Sequence, residues 1–382
     1  MPIAIVSMRT FALAFVVWLS AGPVLAAQQQ APNSPGKTAE QVYKNIQVLQ
    51  GTPADQFLPE MRLFGAALGV DCNFCHVEED RSKDDKGSKQ IARTMISMVR
   101  EINKNSFRGQ LAVTCYSCHR GNVAPVNVPT LPSVERTELN EEQKLPELPS
   151  ADQILSKYIQ ALGGEQALHK VTSRLVTATE DLPTGPGGRM TAQANLEQYA
   201  KAPNLQLNVY HSDKFTISDG FDGTSAWSQD AKGNVVDVTG PDLIRARRAA
   251  DFYPSTNLKE AYDRLAVAGT EKVNNRDAYL VVGSPQGGLP ERLYFDAQSG
   301  LLLRRLILLP TQLGNSPWQV DYDDYRDTGS GARFPFVIRM IPGTSNSVLA
   351  RQSTIRVEKI QDNVPIDSDR FSKPQAKKTP AQ

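Results

Sequence analysis

Residues 113–121 read VTCYSCHRG, and residues 70–77 have already read VDCNFCHV. The chain holds four cysteines and four histidines, and two copies of Cys-x-x-Cys-His take all of the former and half of the latter. No other feature restricts the fold so tightly. Two disulfides would need no histidine. A zinc site could use the thiolates, but its pairs usually stand closer in sequence than these do. A thioredoxin-like dithiol needs a strand-to-helix setting and has no use for the following imidazole. Covalent attachment of c-type haem uses every residue: two thiols add to porphyrin vinyl groups, the two-residue spacer lets one turn reach both, and the adjoining imidazole falls beneath the iron. The motifs therefore predict two c-type haems, held by Cys72 and Cys75 and by Cys115 and Cys118, with His76 and His119 as proximal iron ligands.

The opposite face of each iron needs a ligand from elsewhere. The remaining histidines, His169 and His211, lie far downstream in a segment of different character. Met61 stands in ADQFLPEMRLFGAALGV, where Phe57, Leu58, Met61, Phe64 and Leu68 recur at helical spacing before Gly69 stops the pattern. Met95 and Met98 stand in SKQIARTMISMVREINKN, with Ser88 as the expected N-cap and Ile91, Met95, Met98 and Ile102 on one face. Such stripes ordinarily pack into a core. Here the packing partner is expected to be the haem itself, with Met61 and one of Met95 or Met98 as axial ligands; periodicity does not separate the last two. His/Met ligation raises the reduction potential and leaves no open position. That predicts an electron carrier and not an enzyme.

These segments also resemble a known family. MRLFGAALGVDCNFCH, KQIARTMISMVREIN and VTCYSCHRG are similar to the multihaem cytochrome subunit of photosynthetic reaction centres over roughly residues 38–123. There, each haem has a helix with an axial methionine, a turn, then Cys-x-x-Cys-His. The resemblance implies that Met61 ligates the haem on Cys72 and Cys75. It also implies that Met95 ligates the haem on Cys115 and Cys118, with Met98 packed beside the ring as the alternative ligand. The family's typical member carries four haems and is often lipid-anchored, so the resemblance implies a shortened, dihaem relative that passes single electrons between redox protein partners.

The ends and the remaining length frame this segment. MPIAIVSMRTFALAFVVWLSAGPVLAA has a basic Arg9, an apolar run and a small-residue cleavage site. It reads as a signal peptide over residues 1–26, and no cysteine near the cut offers lipid attachment. An exported, periplasmic protein is expected, with association to a membrane or membrane complex left open. A net charge of +1 gives no sign of a nucleic-acid partner. The charged stretch EEDRSKDDKGSKQ reads as a solvated loop.

Residues 125–150 are proline-rich and read as a linker. From residue 151 to 373 one or two helices, stopped at Gly163-Gly164, precede short alternating strands with Lys-Gly-Asn, Asn-Asn-Arg-Asp and Gln-Ser-Gly turns. A helical interruption is expected around 240–265, Arg245 to Arg248 reads as a solvated helix face, and residues 374–382 form a tail. LYFDAQSGLLLRR, DYDDYRDTGSGARFPFVIRM and FSKP weakly resemble the half-barrel of lipoprotein-sorting carriers, which implies an apolar ligand there. The expected architecture is thus multidomain: a small, mainly α dihaem c-type cytochrome domain over 37–124, then a mainly antiparallel β, half-barrel-like α+β domain. Two other functions compete. A haem sensor or peroxidase needs a labile sixth ligand, and no distal His or Arg accompanies either motif. A lipid or lipoprotein carrier with an accessory cytochrome needs a deep apolar cavity.

Overall fold

The computed structural model describes residues 37–125, 148–184, 190–213, 215–285, 288–342 and 352–375. The signal-peptide segment, most of the proline-rich stretch and the end of the tail lie outside the described residues.

The N-terminal part is helical. A single turn, α1 (Ala39–Val42), precedes α2 (Ala54–Leu68), which ends where Gly69 enters the left-handed region at φ 69°. A Cβ on Gly69 would stand 2.2 Å from the Gly121 carbonyl oxygen, so two chain segments touch at backbone distance there. A 3-10 turn follows at Cys72–Phe74, then α3 (Gly87–Ser106) and the short α4 (Cys115–His119). Ser88 is not the N-cap of α3. Lys86 occupies that position, and the Ser88 hydroxyl donates instead to the Phe74 carbonyl, tying the first turn of α3 to the first cysteine motif.

After α5 (Ala151–Ala161), capped by Ser150, and α6 (Glu165–His169), the regular elements among the described residues are β apart from α7 (Gly240–Ala250) and a 3-10 turn at Ser368–Phe371. The strands are β1 (Ser173–Thr184), β2 (Met190–Lys201), β3 (Leu205–Ser212), β4 (Phe215–Asp222), β5 (Ala226–Gln229) and β6 (Val235–Val238). Beyond α7 come β7 (Arg264–Val273), β8 (Arg276–Ser284), β9 (Glu291–Asp296), β10 (Leu302–Thr311), β11 (Gly314–Asp327), β12 (Arg333–Pro342) and β13 (Ser353–Asp362). All pair antiparallel in one sheet of order β6-β5-β4-β3-β2-β1-β13-β12-β11-β10-β9-β8-β7. Two meanders thus meet along β1 and β13. The Asn274-Asn275 corner shows why hairpins form: both residues take positive φ (49° and 65°) between paired Val273 and Arg276, the geometry a two-residue hairpin loop demands.

The apolar face of α5, Ile154, Leu155 and Tyr158, packs with Val176 and Leu196 of the first meander and Val281, Phe295 and Ile338 of the second. One helix therefore nucleates a core shared by both, which makes the sheet half-barrel-like. The helical interruption is shorter than expected, since α7 ends at Ala250 and β7 begins at Arg264. His211 lies within β3. Arg248 is no solvated residue: it pairs with buried Glu291 at 2.8 Å and fixes α7 to the sheet.

The tip of the β10–β11 hairpin reaches the helical part. Leu313, 1% exposed, packs with Leu49 and Ile96, against which Phe57, Met61 and Phe64 also lie.

Candidate haem-binding sites

All four cysteines are free thiols. Around the first motif, Asp71 accepts from the Phe74 amide (3.1 Å) and the His76 amide donates to the Cys72 carbonyl (3.0 Å), closing one tight turn that holds both sulfurs and the imidazole. The second motif is the whole of α4, stopped when Arg120 enters the left-handed region. Among the described residues no three of His, Cys, Asp and Glu gather as a metal-binding cluster, so the thiols do not converge on one tetrahedral centre.

The imidazoles are oriented by the backbone. His76 Nδ1 lies 2.9 Å from the Arg81 carbonyl, and His119 Nδ1 lies 3.0 Å from the Asn122 carbonyl. A carbonyl can only accept, so each Nδ1 carries its proton and each Nε2 keeps its lone pair for a metal. Burial lowers the pKa of His76, which favours the neutral ring that iron needs, and burial raises the thiol pKa of Cys75 and Cys115.

The surroundings are apolar and open. Ile91 is 65% exposed and Met98 41%, while Met95 on the same stripe of α3 is half-buried. Phe74 and Tyr116, one inside each motif, are also exposed. Such a stripe leaves apolar surface uncovered beside the motifs. Arg81 Nε is buried with no hydrogen-bond partner among the described residues, and a guanidinium is a group that would suit a porphyrin carboxylate. Thiol pairs, oriented imidazoles, methionines and this guanidinium form a donor set that fits haem c. Met61 is half-buried beside Leu313.

Several residues were not visible in the sequence as participants. Arg81 and Asn122 act through carbonyls, which leave no residue-type signal. Lys89 sits in the stretch read as a solvated loop, yet it is 8% exposed and donates to the carbonyls of Arg81 (3.0 Å), Ser82 (2.9 Å) and Lys83 (2.6 Å). Glu60, beside Met61, is wholly buried; its Oε1 accepts from the Gln312 amide (2.9 Å), and burial pushes its carboxyl up to about 7.

The family model described as the photosynthetic reaction centre cytochrome C subunit matches residues 13–199. The chain is 35% identical over 99 residues to the photosynthetic reaction center cytochrome c subunit of Thermochromatium tepidum, a match covering 25% of this chain and 24% of that one. It is 34% identical over 110 residues to the corresponding subunit of Rubrivivax gelatinosus, covering 26% of this chain and 30% of that one. The matches thus span between 24% and 30% of these relatives' length. Among solved structures, a LolA superfamily protein from Nitrosomonas europaea superposes with a TM-score of 0.42 at 10% identity, covering 59% of this chain and 99% of that one. Over its N-terminal part the chain is similar to the reaction-centre cytochrome c subunits.

Proposed function

We propose that this chain is an exported, periplasmic c-type cytochrome that carries single electrons between redox proteins on two covalently bound haems. The observation that carries the reading is the state of the two motifs: both thiols free, and each imidazole held by a backbone carbonyl with Nε2 left for iron. Cys72 and Cys75, and Cys115 and Cys118, hold the two porphyrins; His76 and His119 are the proximal ligands. Met61 and Met95 fill the remaining positions, with Met98 packed beside the second ring or taking the place of Met95. Bound haem supplies a one-electron ferrous–ferric couple. The protein's part is to fix both axial ligands, so that little reorganises between redox states, and to cover the porphyrin with the Ile91, Met95 and Met98 stripe. The cytochrome domain spans 37–124, and the sheet domain, 151–373, docks it to a partner or to the envelope.

An optical spectrum of the reduced, haem-loaded protein before and after carbon monoxide tests this. Two c-type haems and no response to the gas are expected. A prompt shift at either haem would mean an exchangeable sixth ligand, and would move sensing or peroxide chemistry ahead.

A further inference from the structure

The two sites differ in what surrounds the carbonyl that orients each proximal histidine. Arg81 O accepts two donors, His76 Nδ1 at 2.9 Å and the Lys89 ammonium at 3.0 Å. Lys89 is held there by the carbonyls of Ser82 and Lys83 and by Asp84, whose Oδ1 is 3.0 Å away. Asp84 does not neutralise the group alone, because Arg93 also pairs with it at 2.9 Å. Two cations share one carboxylate beside the first motif, and Lys86 adds a third by donating to the Asn73 carbonyl. At the second motif, His119 Nδ1 meets Asn122 O, and among the described residues no side-chain cation donates to that oxygen.

The consequences at the first site share one sign. A carbonyl already accepting from an ammonium is a weaker acceptor for the imidazole N–H, so His76 is less polarised and gives less charge to a metal at Nε2. A poorly solvated positive charge also opposes the extra positive charge of ferric iron. We infer that Lys89 is a positioning residue that raises the reduction potential of the haem on Cys72 and Cys75, separating it from the haem on Cys115 and Cys118. This rests on the dihaem electron-carrier reading. With the potentials parted in this way, electrons entering at the second site run towards the first.

The test is an optical redox titration of the full, haem-loaded chain, resolved into two components, for wild type, Lys89→Met and Lys89→Arg. Lys89→Met is expected to move one component alone to lower potential, shifting its equilibrium three- to tenfold towards ferric, where tenfold is ~59 mV for a one-electron couple. Lys89→Arg keeps the charge and is expected to stay near wild type. Should Lys89→Met not retain both haems, Lys89→Gln, which keeps one donor and loses the charge, carries the same expectation. Unchanged potentials, equal movement of both components, or the same shift in Lys89→Arg would overturn the inference. If the wild-type chain does not carry two c-type haems, it is the electron-carrier reading that fails.

Discussion

A carboxylate taken out of water depends on what replaces the water, and the sheet contains two that are answered in opposite ways. Glu291 is buried, which alone would raise its pKa. Arg305 at 2.7 Å and Arg248 at 2.8 Å overrule that, Tyr262 adds a hydroxyl donor at 2.6 Å, and the carboxyl is held down at about 2. Glu180 on β1 is equally buried but has a hydroxyl, Ser353, and, among the described residues, no cation beside it, so desolvation, with the Asp181 charge adding to it, lifts it from 4.5 to about 7. Between those two values the folded protein keeps a proton that the unfolded chain has released, so stability falls as pH rises through that window. A gap of that size corresponds to roughly 3 kcal/mol. Glu180→Gln is therefore expected to equal wild type near pH 4, and to exceed it by up to that amount above pH 8. Denaturant midpoints at the two values check this; a constant offset between the proteins would mean that Glu180 ionises normally. Nothing in RLVTATEDL around Glu180 or ERLYFDAQSG from Glu291 told the two glutamates apart. Strand alternation was legible there, but the cations that hold Glu291 down come from another strand and a helix.

The element that couples the helical part to the sheet is the β10–β11 hairpin. At its tip Gln312 accepts from Thr52 (3.1 Å) and Arg100 (3.0 Å) through Oε1, donates its amide to Glu60 (2.9 Å) and gives Nε2 to the Gly51 carbonyl (3.3 Å). Gly314 has φ 147°, and a Cβ there would stand 3.0 Å from Leu63 and 3.2 Å from Thr114, the residue just before Cys115. Leu313 completes the apolar cluster around Phe57, Met61 and Phe64. The hairpin thus braces the helix bearing Met61 and the entry to the second motif together. Leu313→Ala should cost ~2–5 kcal/mol locally. By amide exchange, α2 and α3 are expected to lose protection while the strands of the sheet keep theirs; an unchanged exchange pattern in α2 and α3 would refute the bracing role. The helices were legible because their apolar stripes and the Gly69 stop are local. This contact was not, because its two sides lie some 250 residues apart in sequence, and TQLGN looks like an ordinary turn. Two strands were also hard to read. β7 begins where a helical interruption was expected to end, and RVEKIQD in β13 carries little apolar signal beyond the strand it pairs with.

At the scale of the whole molecule, β2–β6 and β7–β12 are chains of sequential hairpins, and the pairing of β1 with β13 is what makes them one sheet. That seam joins residues 188 apart, Arg174 and Asp362, by a two-point ion pair at 2.6 and 3.1 Å between side chains that are both largely buried. Thr328 (2.6 Å) and Ser330 (2.8 Å) donate to the same carboxylate, so a loop after β11 is fastened to the seam as well. Burial acts to raise the pKa of Asp362, yet Arg174 and these hydroxyls bring it below its ordinary value. Closing such a long loop is entropically expensive and forms late in folding, so the seam should be where cooperativity is decided. Removing one partner of a buried pair strands the other and costs ~3–5 kcal/mol. Asp362→Ala is expected to lose that much and, because α5 packs on both meanders only while they are joined, to split one unfolding transition into two. An exposed pair, Lys272–Asp277 at 2.8 Å, provides the control: Asp277→Ala should leave the transition single and near its wild-type midpoint. If Asp362→Ala instead unfolds in one step at a lower midpoint, the shared packing on α5 (Ile154, Leu155 and Tyr158) holds the meanders together, and the seam only adds to it.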